Sequence, residues 1–456
     1  MNRIASRSVA ILLLIAVLIG GLGFFLVEYF LNAGNWVMHP GSPHVYSGPN
    51  IGTGIVTDRN GILLLDMNGN RTYAVTQELR KSTLHWLGDR YGYISAPALP
   101  TYAEEMAGYD ILTGMYSYSG AGQATLTLSA QAQMVALEAL GDYKGTVAVY
   151  NYKTGEILCA VSTPTYDPDH VPDIKGDTSG AYEGVYVNRF TQSVYIPGSI
   201  FKIVTTAAAL EQIPDIREQT FTCNGTYSYG VDKVTCEISH GTLNFETAMT
   251  RSCNCTFAQI VDQLGAETLQ HYVEKYQVTK PLSFDGITTA AGNFEVSNAA
   301  PVQVAWSGIG QHKDQINPCR FMTFMGAIAN GGVGVEPHLV SQVTCDGSVT
   351  YSAEAVRTEQ IMPEAIAQEL QAMMRINVVK NYGADNFPGL TVCAKTGTGE
   401  VDGDQKSNAM FAGFVTDEDY PLAFIVAVED AGYGRAVCVP IMSKVLAACK
   451  DVMDEA

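Results

Sequence analysis

Hydrophobic positions along this chain fall first into one long block and then into shorter periodic runs. From Val9 to Leu31 the sequence is apolar almost without interruption, Glu28 excepted. A helix over that stretch would be roughly 35 Å long at about 1.5 Å per residue, enough to cross a bilayer. Residues 32 to about 50 are rich in Gly, Pro, Ser and Asn and read as a linker. Gly54 to Leu64 predicts two short strands about the Asn60-Gly61 turn. Ser129 to Leu140 predicts a helix capped by Ser129 and ended by Gly141. Thr146 to Tyr150 and Ile157 to Val161 predict a hairpin about Asn151 to Glu156. Thr163 to Gly184, rich in Pro, Asp and Gly, reads as a long surface loop.

The period then changes. Ile200, Ile203, Val204, Ala207 and Ala208 follow the i, i+3, i+4, i+7, i+8 spacing of one helix face. That spacing predicts a buried helix over Pro197 to Leu210, opened by Ser199. From Thr247 the pattern is helical, and strands return at Leu390 to Thr396, Met410 to Val415 and Ala423 to Val428. An amphipathic helix over Val439 to Met453 closes the chain. Strands flanked by helices at both ends predict an α+β fold, with helices packed on an antiparallel sheet.

Composition narrows the classes. A chain of 456 residues has room for two or three domains, and 47% hydrophobic against 16% charged residues excludes a disordered chain. A net charge of −19 with no run of Lys or Arg argues against a nucleic-acid partner. The His residues are scattered, with no His-x-x-x-His or Cys-x-x-Cys pair, so no metal site is expected. Arg3 and Arg7 precede the apolar block and no Lys or Arg follows it until Arg59, which puts the N-terminus in the cytoplasm and the rest outside. The block is longer than the apolar core of a signal peptide and no Ala-x-Ala site follows, favouring a retained anchor. An extracytoplasmic location permits disulfides, and Cys223 and Cys236, bracketing a hairpin-like segment from Asn224 to Thr235, are a candidate bridge, with free thiols as the alternative. The other eight cysteines read as core filling.

Three short motifs carry chemistry. In the first, Ser199 and Lys202 stand one helical turn apart, so the lysine can return to the serine hydroxyl. An apolar setting favours neutral lysine, a base able to take the serine's proton. The second, Ser252-Cys253-Asn254, sets a hydroxyl and a carboxamide where they could relay a proton and hold a substrate amide. The third, Lys395-Thr396-Gly397-Thr398, offers a cation and hydroxyls for a carboxylate and bare backbone for a docked peptide. Lys153-Thr154-Gly155 repeats the third motif at a hairpin tip, where Gly supplies the turn and Lys is solvated, and no chemistry is assigned to it. Of fourteen lysines only Lys202 has Ser three residues before it, and only Asn254 among the asparagines has Ser two before it.

In this order the motifs resemble those of penicillin-binding transpeptidases and serine β-lactamases. Thr165-Tyr166-Asp167-Pro168, Tyr195 to Ser199, Arg251 to Asn254, Gly308 to Gln311, Ala329 to Gly332, Phe411 to Phe414 and Asp58 to Gly61 are similar to segments of class B penicillin-binding proteins. Gly52 to Ile55 departs from the Arg-Gly pair usual in that family. The resemblance implies a cytoplasmic tail (1–8), a transmembrane anchor (9–31), a linker and pedestal (32–143) and a transpeptidase domain (144–456), the last a helix-sandwiched antiparallel sheet with an all-helical subdomain. It implies that Ser199 attacks the penultimate D-alanine carbonyl of a peptidoglycan stem peptide, that Lys202 is its base and that Ser252 relays protons. Asn254 would orient the substrate amide, Lys395 with Thr396, Gly397 and Thr398 would hold the terminal carboxylate, and the backbone N–H groups of Ser199 and Thr398 would form the oxyanion hole.

By the same likeness no cofactor is required, β-lactams acylate Ser199, and a membrane glycan polymerase of the elongation, division or sporulation type is the partner. The alternatives are a D,D-carboxypeptidase or β-lactamase of the same chemistry, or a non-catalytic β-lactam-binding scaffold of a cell-wall complex. The anchor and pedestal favour cross-linking, and residues 32–143 are too few for a glycosyltransferase domain.

Overall fold

The computed structural model describes residues 2–37, 50–68, 70–110, 122–400 and 406–455, with 39, 42, 46, 47, 114 and 115 between them. Much of the expected linker therefore lies outside the described residues.

The apolar block forms part of one helix, Asn2–Val37, which extends beyond the expected span at both ends. Within its stretch Ile4–Gly34 an 18-residue window reaches a mean hydropathy of 2.9, and none of that window is buried. Glu28 accepts a hydrogen bond from Asn32 Nδ2 at 2.8 Å, one turn on.

The first soluble region is built on a six-stranded sheet. Ile55–Thr57 and Leu63–Asp66 are the expected antiparallel pair, and Asp58 closes their turn by accepting the N–H groups of Asn60 and Ile62 through Oδ1. Its Oδ2 accepts the N–H of Ala130, tying the turn to the next helix. Two strands of this sheet, Val340–Cys345 and Ser348–Ser352, come from far along the chain. Nothing local in 340–352 announces this, because a strand's neighbours are set by which edge is free to pair.

The second sheet carries the candidate chemistry. Its five antiparallel strands run in the order Ile157–Thr163, Gly145–Asn151, Leu422–Val428, Asn408–Val415, Val392–Gly399. Along Gly145–Asn151 the alternation divides the core. Val147 and Val149 face one layer with Ala136, Leu140, Met442 and Leu446, while Ala148 and Tyr150 face the other with Phe321 and Met325. Both faces are covered, so these strands read as continuous apolar runs. Helices Ala130–Leu140 and Gly434–Asp454 supply the first layer, and Pro318–Ala329 and Glu364–Asn377 contribute to the second. Ala130–Leu140 is bounded as the sequence predicts: the Ser129 side chain accepts the Ala132 N–H, and Gly141 leaves the helix at φ +53°. This helix packs on the second sheet although it precedes residue 143.

Beside that sheet sits a helical subdomain, Lys202–Gln212, Phe245–Arg251, Asn254–Leu264, Ala266–Lys275 and Pro301–Gly308. It also carries two β-ribbons, Thr220–Cys223 with Gly241–Asn244 and Thr226–Tyr229 with Asp232–Thr235.

Candidate active site

The three motifs arrive on three different elements. Ser199 lies in a single 3-10 turn, Gly198–Ile200, and the α-helix proper begins at Lys202, three residues later than a helix opened by Ser199. The predicted apolar face, Ile200, Ile203, Val204, Ala207 and Ala208, is fully buried.

Two glycines let this turn press on the edge strand Val392–Gly399. At Gly198, with φ +55°, an added Cβ would lie 2.2 Å from the Thr398 carbonyl oxygen. At Gly397 a Cβ would lie 2.4 Å from the Pro197 carbonyl oxygen. Both positions need bare backbone, and their contact brings Ser199 to the edge of the sheet.

Lys202 is fully buried and its amine is the hub of the site. Nζ lies 3.1 Å from Ser199 Oγ, 3.1 Å from Ser252 Oγ, 2.8 Å from the Ser252 carbonyl and 2.7 Å from Asn254 Oδ1, and it stands over the Phe257 ring. Burial, and then the charge of Lys395, push its pKa well below the usual 10.5. All its polar partners are neutral, so the surroundings favour the free amine, the form that can accept a proton.

Ser252 holds a left-handed conformation, φ 53° and ψ 40°, at the junction of Phe245–Arg251 with Asn254–Leu264. A non-glycine residue there is strained, and such strain persists only where the surroundings enforce it. The bend sets Ser252 Oγ between the two lysines, 3.0 Å from Lys395 Nζ and 3.1 Å from Lys202 Nζ. Asn254 is clamped at both ends, accepting from Lys202 and donating through Nδ2 to the Thr235 carbonyl at 2.8 Å. Burial lowers Lys395 from 10.5 to about 7.

Successive strand residues point to opposite faces. Lys395 reaches Ser252, whereas Thr396 Oγ1 lies 2.9 Å from the Tyr382 hydroxyl, which also accepts the Thr396 N–H at 2.9 Å. Asn377 Nδ2 donates to that hydroxyl at 3.1 Å and to the Ala394 carbonyl at 2.9 Å. Gln311 Nε2 donates to the Thr398 carbonyl at 3.0 Å. Tyr382, Asn377 and the Thr235 carbonyl carry no pattern that links them to the motifs. Gln311 lies in a segment that the family resemblance covers, yet nothing in its neighbours aims it at Thr398.

The second Lys-Thr-Gly copy stays outside this cluster. Lys153 is exposed at the hairpin tip and donates to Asn330 Oδ1 at 2.6 Å. The bridge between Cys223 and Cys236 is not formed: both are free thiols. Each sulfur is turned to another neighbour, Cys223 Sγ to His240 Nδ1 at 3.5 Å and Cys236 Sγ to Cys253 Sγ at 3.8 Å.

Residues 145–447 match the penicillin binding protein transpeptidase domain. The chain is 26% identical over 364 residues to the peptidoglycan D,D-transpeptidase PbpA of Mycolicibacterium smegmatis, covering 72% of each chain. It is 27% identical over 322 residues to stage V sporulation protein D of Bacillus subtilis, covering 66% of this chain and 48% of that protein. In fold it is similar to a D,D-transpeptidase domain from Eggerthella lenta, with TM-score 0.75 and 24% identity over 89% of this chain and 99% of that one. It is likewise similar to penicillin-binding protein A of M. tuberculosis as its penicillin G acyl-enzyme, with TM-score 0.74 and 22% identity over 87% of this chain and 99% of that one. With its apolar N-terminal helix, its first soluble region and the matched domain, the chain belongs to the penicillin-binding protein transpeptidase family, as a class B penicillin-binding protein.

Proposed function

We propose that this protein is a peptidoglycan D,D-transpeptidase that works through an acyl-enzyme on Ser199. The observation that carries the reading is the placement of the fully buried Lys202 Nζ 3.1 Å from Ser199 Oγ, among hydrogen-bonding partners that are all uncharged. Ser199 Oγ attacks the carbonyl carbon of the penultimate D-alanine as its proton passes to the Lys202 amine. The Ser199 and Thr398 backbone N–H groups hold the oxyanion. As the tetrahedral intermediate collapses, the C–N bond breaks and the D-alanine nitrogen takes a proton through Ser252, which stands between Lys202 and Lys395. An acceptor amine then attacks the ester, the new amide forms and Ser199 recovers its proton. Asn254 orients the substrate amide, and Lys395 with Thr396, Gly397 and Thr398 receives the terminal carboxylate.

A β-lactam enters the same sequence but keeps its amine tethered, so the ester persists. On the charge distribution about the apolar helix we assign a single-pass anchor with the N-terminus in the cytoplasm and the catalytic domain outside. The first soluble region serves as pedestal, and the family resemblance supplies a membrane glycan polymerase as partner.

A fluorescent penicillin tests the reading. The full chain should take up one label that resists denaturation, and Ser199→Ala should take up none. Labelling that survives Ser199→Ala, or an absence of labelling in the parent, would overturn it. Slow release with dimeric muropeptide products distinguishes cross-linking from hydrolysis.

A further inference from the structure

Four side chains between residues 223 and 253 converge behind the second motif: Cys223, Cys236, His240 and Cys253, whose donor atoms all lie within 4.8 Å of one another. Cys223 ends one ribbon, Cys236 follows the hairpin, His240 precedes the return strand and Cys253 caps the helix Asn254–Leu264. Only Cys236 and His240 stand at short spacing, and no Cys-x-x-Cys or His-x-x-x-His pair marks the set, which is why an absence of metal ligands is the expectation from sequence.

Two of the six separations fit tetrahedral coordination and are too long for a disulfide. Cys223 Sγ lies 3.5 Å from His240 Nδ1, and Cys236 Sγ lies 3.8 Å from Cys253 Sγ. A tetrahedral ion with metal–sulfur bonds of about 2.3 Å and metal–nitrogen bonds of about 2.0 Å sets its ligands about 3.8 Å apart for two sulfurs and about 3.5 Å for sulfur and nitrogen. A disulfide needs about 2.0 Å.

A second observation points the same way. The Cys255 N–H is directed at Cys236 Sγ at 3.3 Å, and Thr256 aims both its N–H, at 3.4 Å, and its hydroxyl, at 3.2 Å, at Cys253 Sγ. Donors aimed at sulfur suit thiolates, and outer-shell hydrogen bonds of this kind orient metal ligands. Cys223 and Cys253 are fully buried, while Cys236 and His240 are partly open, leaving a path for entry.

We propose that Cys223, Cys236, His240 and Cys253 form a structural site for a thiophilic divalent ion of the zinc class, which pins the Thr226–Thr235 hairpin behind the Ser252-Cys253-Asn254 wall of the active site. Three thiolates and one imidazole close the coordination sphere, so the ion holds structure and offers no open position for substrate. Its effect on the site passes through Cys253, flanked by the strained Ser252 and by Asn254, whose Nδ2 is bonded to the same hairpin at Thr235. The four ligands are positioning residues: among the described residues none of their side chains is hydrogen-bonded to Ser199, Lys202 or Lys395.

Metal content of the full chain, purified in detergent under reducing conditions with zinc supplied, is the test. About one zinc per chain is expected, and cobalt substitution should give the intense absorption of tetrahedral thiolate coordination. His240→Ala and Cys236→Ser should each lower zinc affinity at least tenfold, whereas Cys255→Ser, outside the four, should retain it. Chelation should lower the melting temperature and slow penicillin labelling, and zinc should restore both. Should a ligand variant fail to fold, the cobalt spectrum of the parent decides. Less than about 0.2 zinc per chain after loading, unchanged affinity in both ligand variants, or a Cys236–Cys253 disulfide in the reduced preparation would each overturn the proposal. Zinc stoichiometry is read without any acylation step, so its failure is separable from failure of the transpeptidase reading.

Discussion

The Lys202 amine and the Asn254 carboxamide oxygen stand 2.7 Å apart, the shortest of the four contacts that Lys202 Nζ makes. This contact links the residue proposed as base to the residue proposed as substrate clamp. A change in the charge of one alters the proton affinity of the other.

Asn254→Asp keeps the shape of the side chain and adds a negative charge beside Lys202. An opposite charge at this distance favours the ammonium, so the free base becomes scarce at neutral pH. Acylation by a fluorescent penicillin should fall roughly 100-fold at pH 7, within the usual range for a lost general base. The rising limb of the pH profile should move to higher pH, and Asn254→Ala should lack that displacement. Equal profiles for the two variants would contradict the coupling.

Lys395 sets the other limb. Burial lowers its pKa from 10.5 to about 7, so the cation offered to the ligand carboxylate is present below pH 7 and lost above it. Lys202 must be neutral and Lys395 charged, and the second-order acylation constant should therefore be bell-shaped, falling above about pH 7 as two opposed ionisations require. Rate constants measured from about pH 5.5 to 9.5 check this, and a plateau through the alkaline range would refute it.

Tyr382→Phe removes the hydroxyl that accepts the Thr396 N–H and meets Thr396 Oγ1 and Asn377 Nδ2. The tyrosine is buried, so its partners lose a hydrogen bond without gaining water, a loss of about 1–3 kcal/mol. Because Tyr382 supports the strand that receives the ligand carboxylate, penicillin affinity before acylation should weaken more than the acylation rate constant. Rapid-mixing kinetics separate the two.

His85 predicts an acid-sensitive fold. The ring is buried in the first soluble region with Nε2 2.8 Å from the Val185 carbonyl, and burial lowers its pKa from 6.5 to about 4. The unfolded chain takes up a proton near pH 6.5 that the native ring refuses. Stability is therefore complete above pH 6.5 and declines as pH falls towards 4, by about 1.4 kcal/mol per unit and about 3 kcal/mol in all. Denaturant melts at pH 7 and pH 4.5 should show this decline, and His85→Asn should flatten its share.

Local sequence determined much of this protein, for reasons that act over a few residues. The apolar helix, the Ser129 cap with Gly141, the hairpin about Asn151 to Glu156 and the buried face of the Lys202 helix follow from side-chain period, capping and turn chemistry. The three motifs name their residues because residue type and short spacing survive in any fold that uses them. Tertiary structure alone decided what stands beside what. The Val340–Ser352 hairpin completes a sheet begun near residue 55, and Tyr382 and Asn377 support Thr396. Gly198 and Gly397 let backbones touch, and four scattered ligands meet behind Ser252. Those relations depend on long-range packing, in which any free edge or apolar face can accept several partners, and the chain selects one only when all of them are buried together.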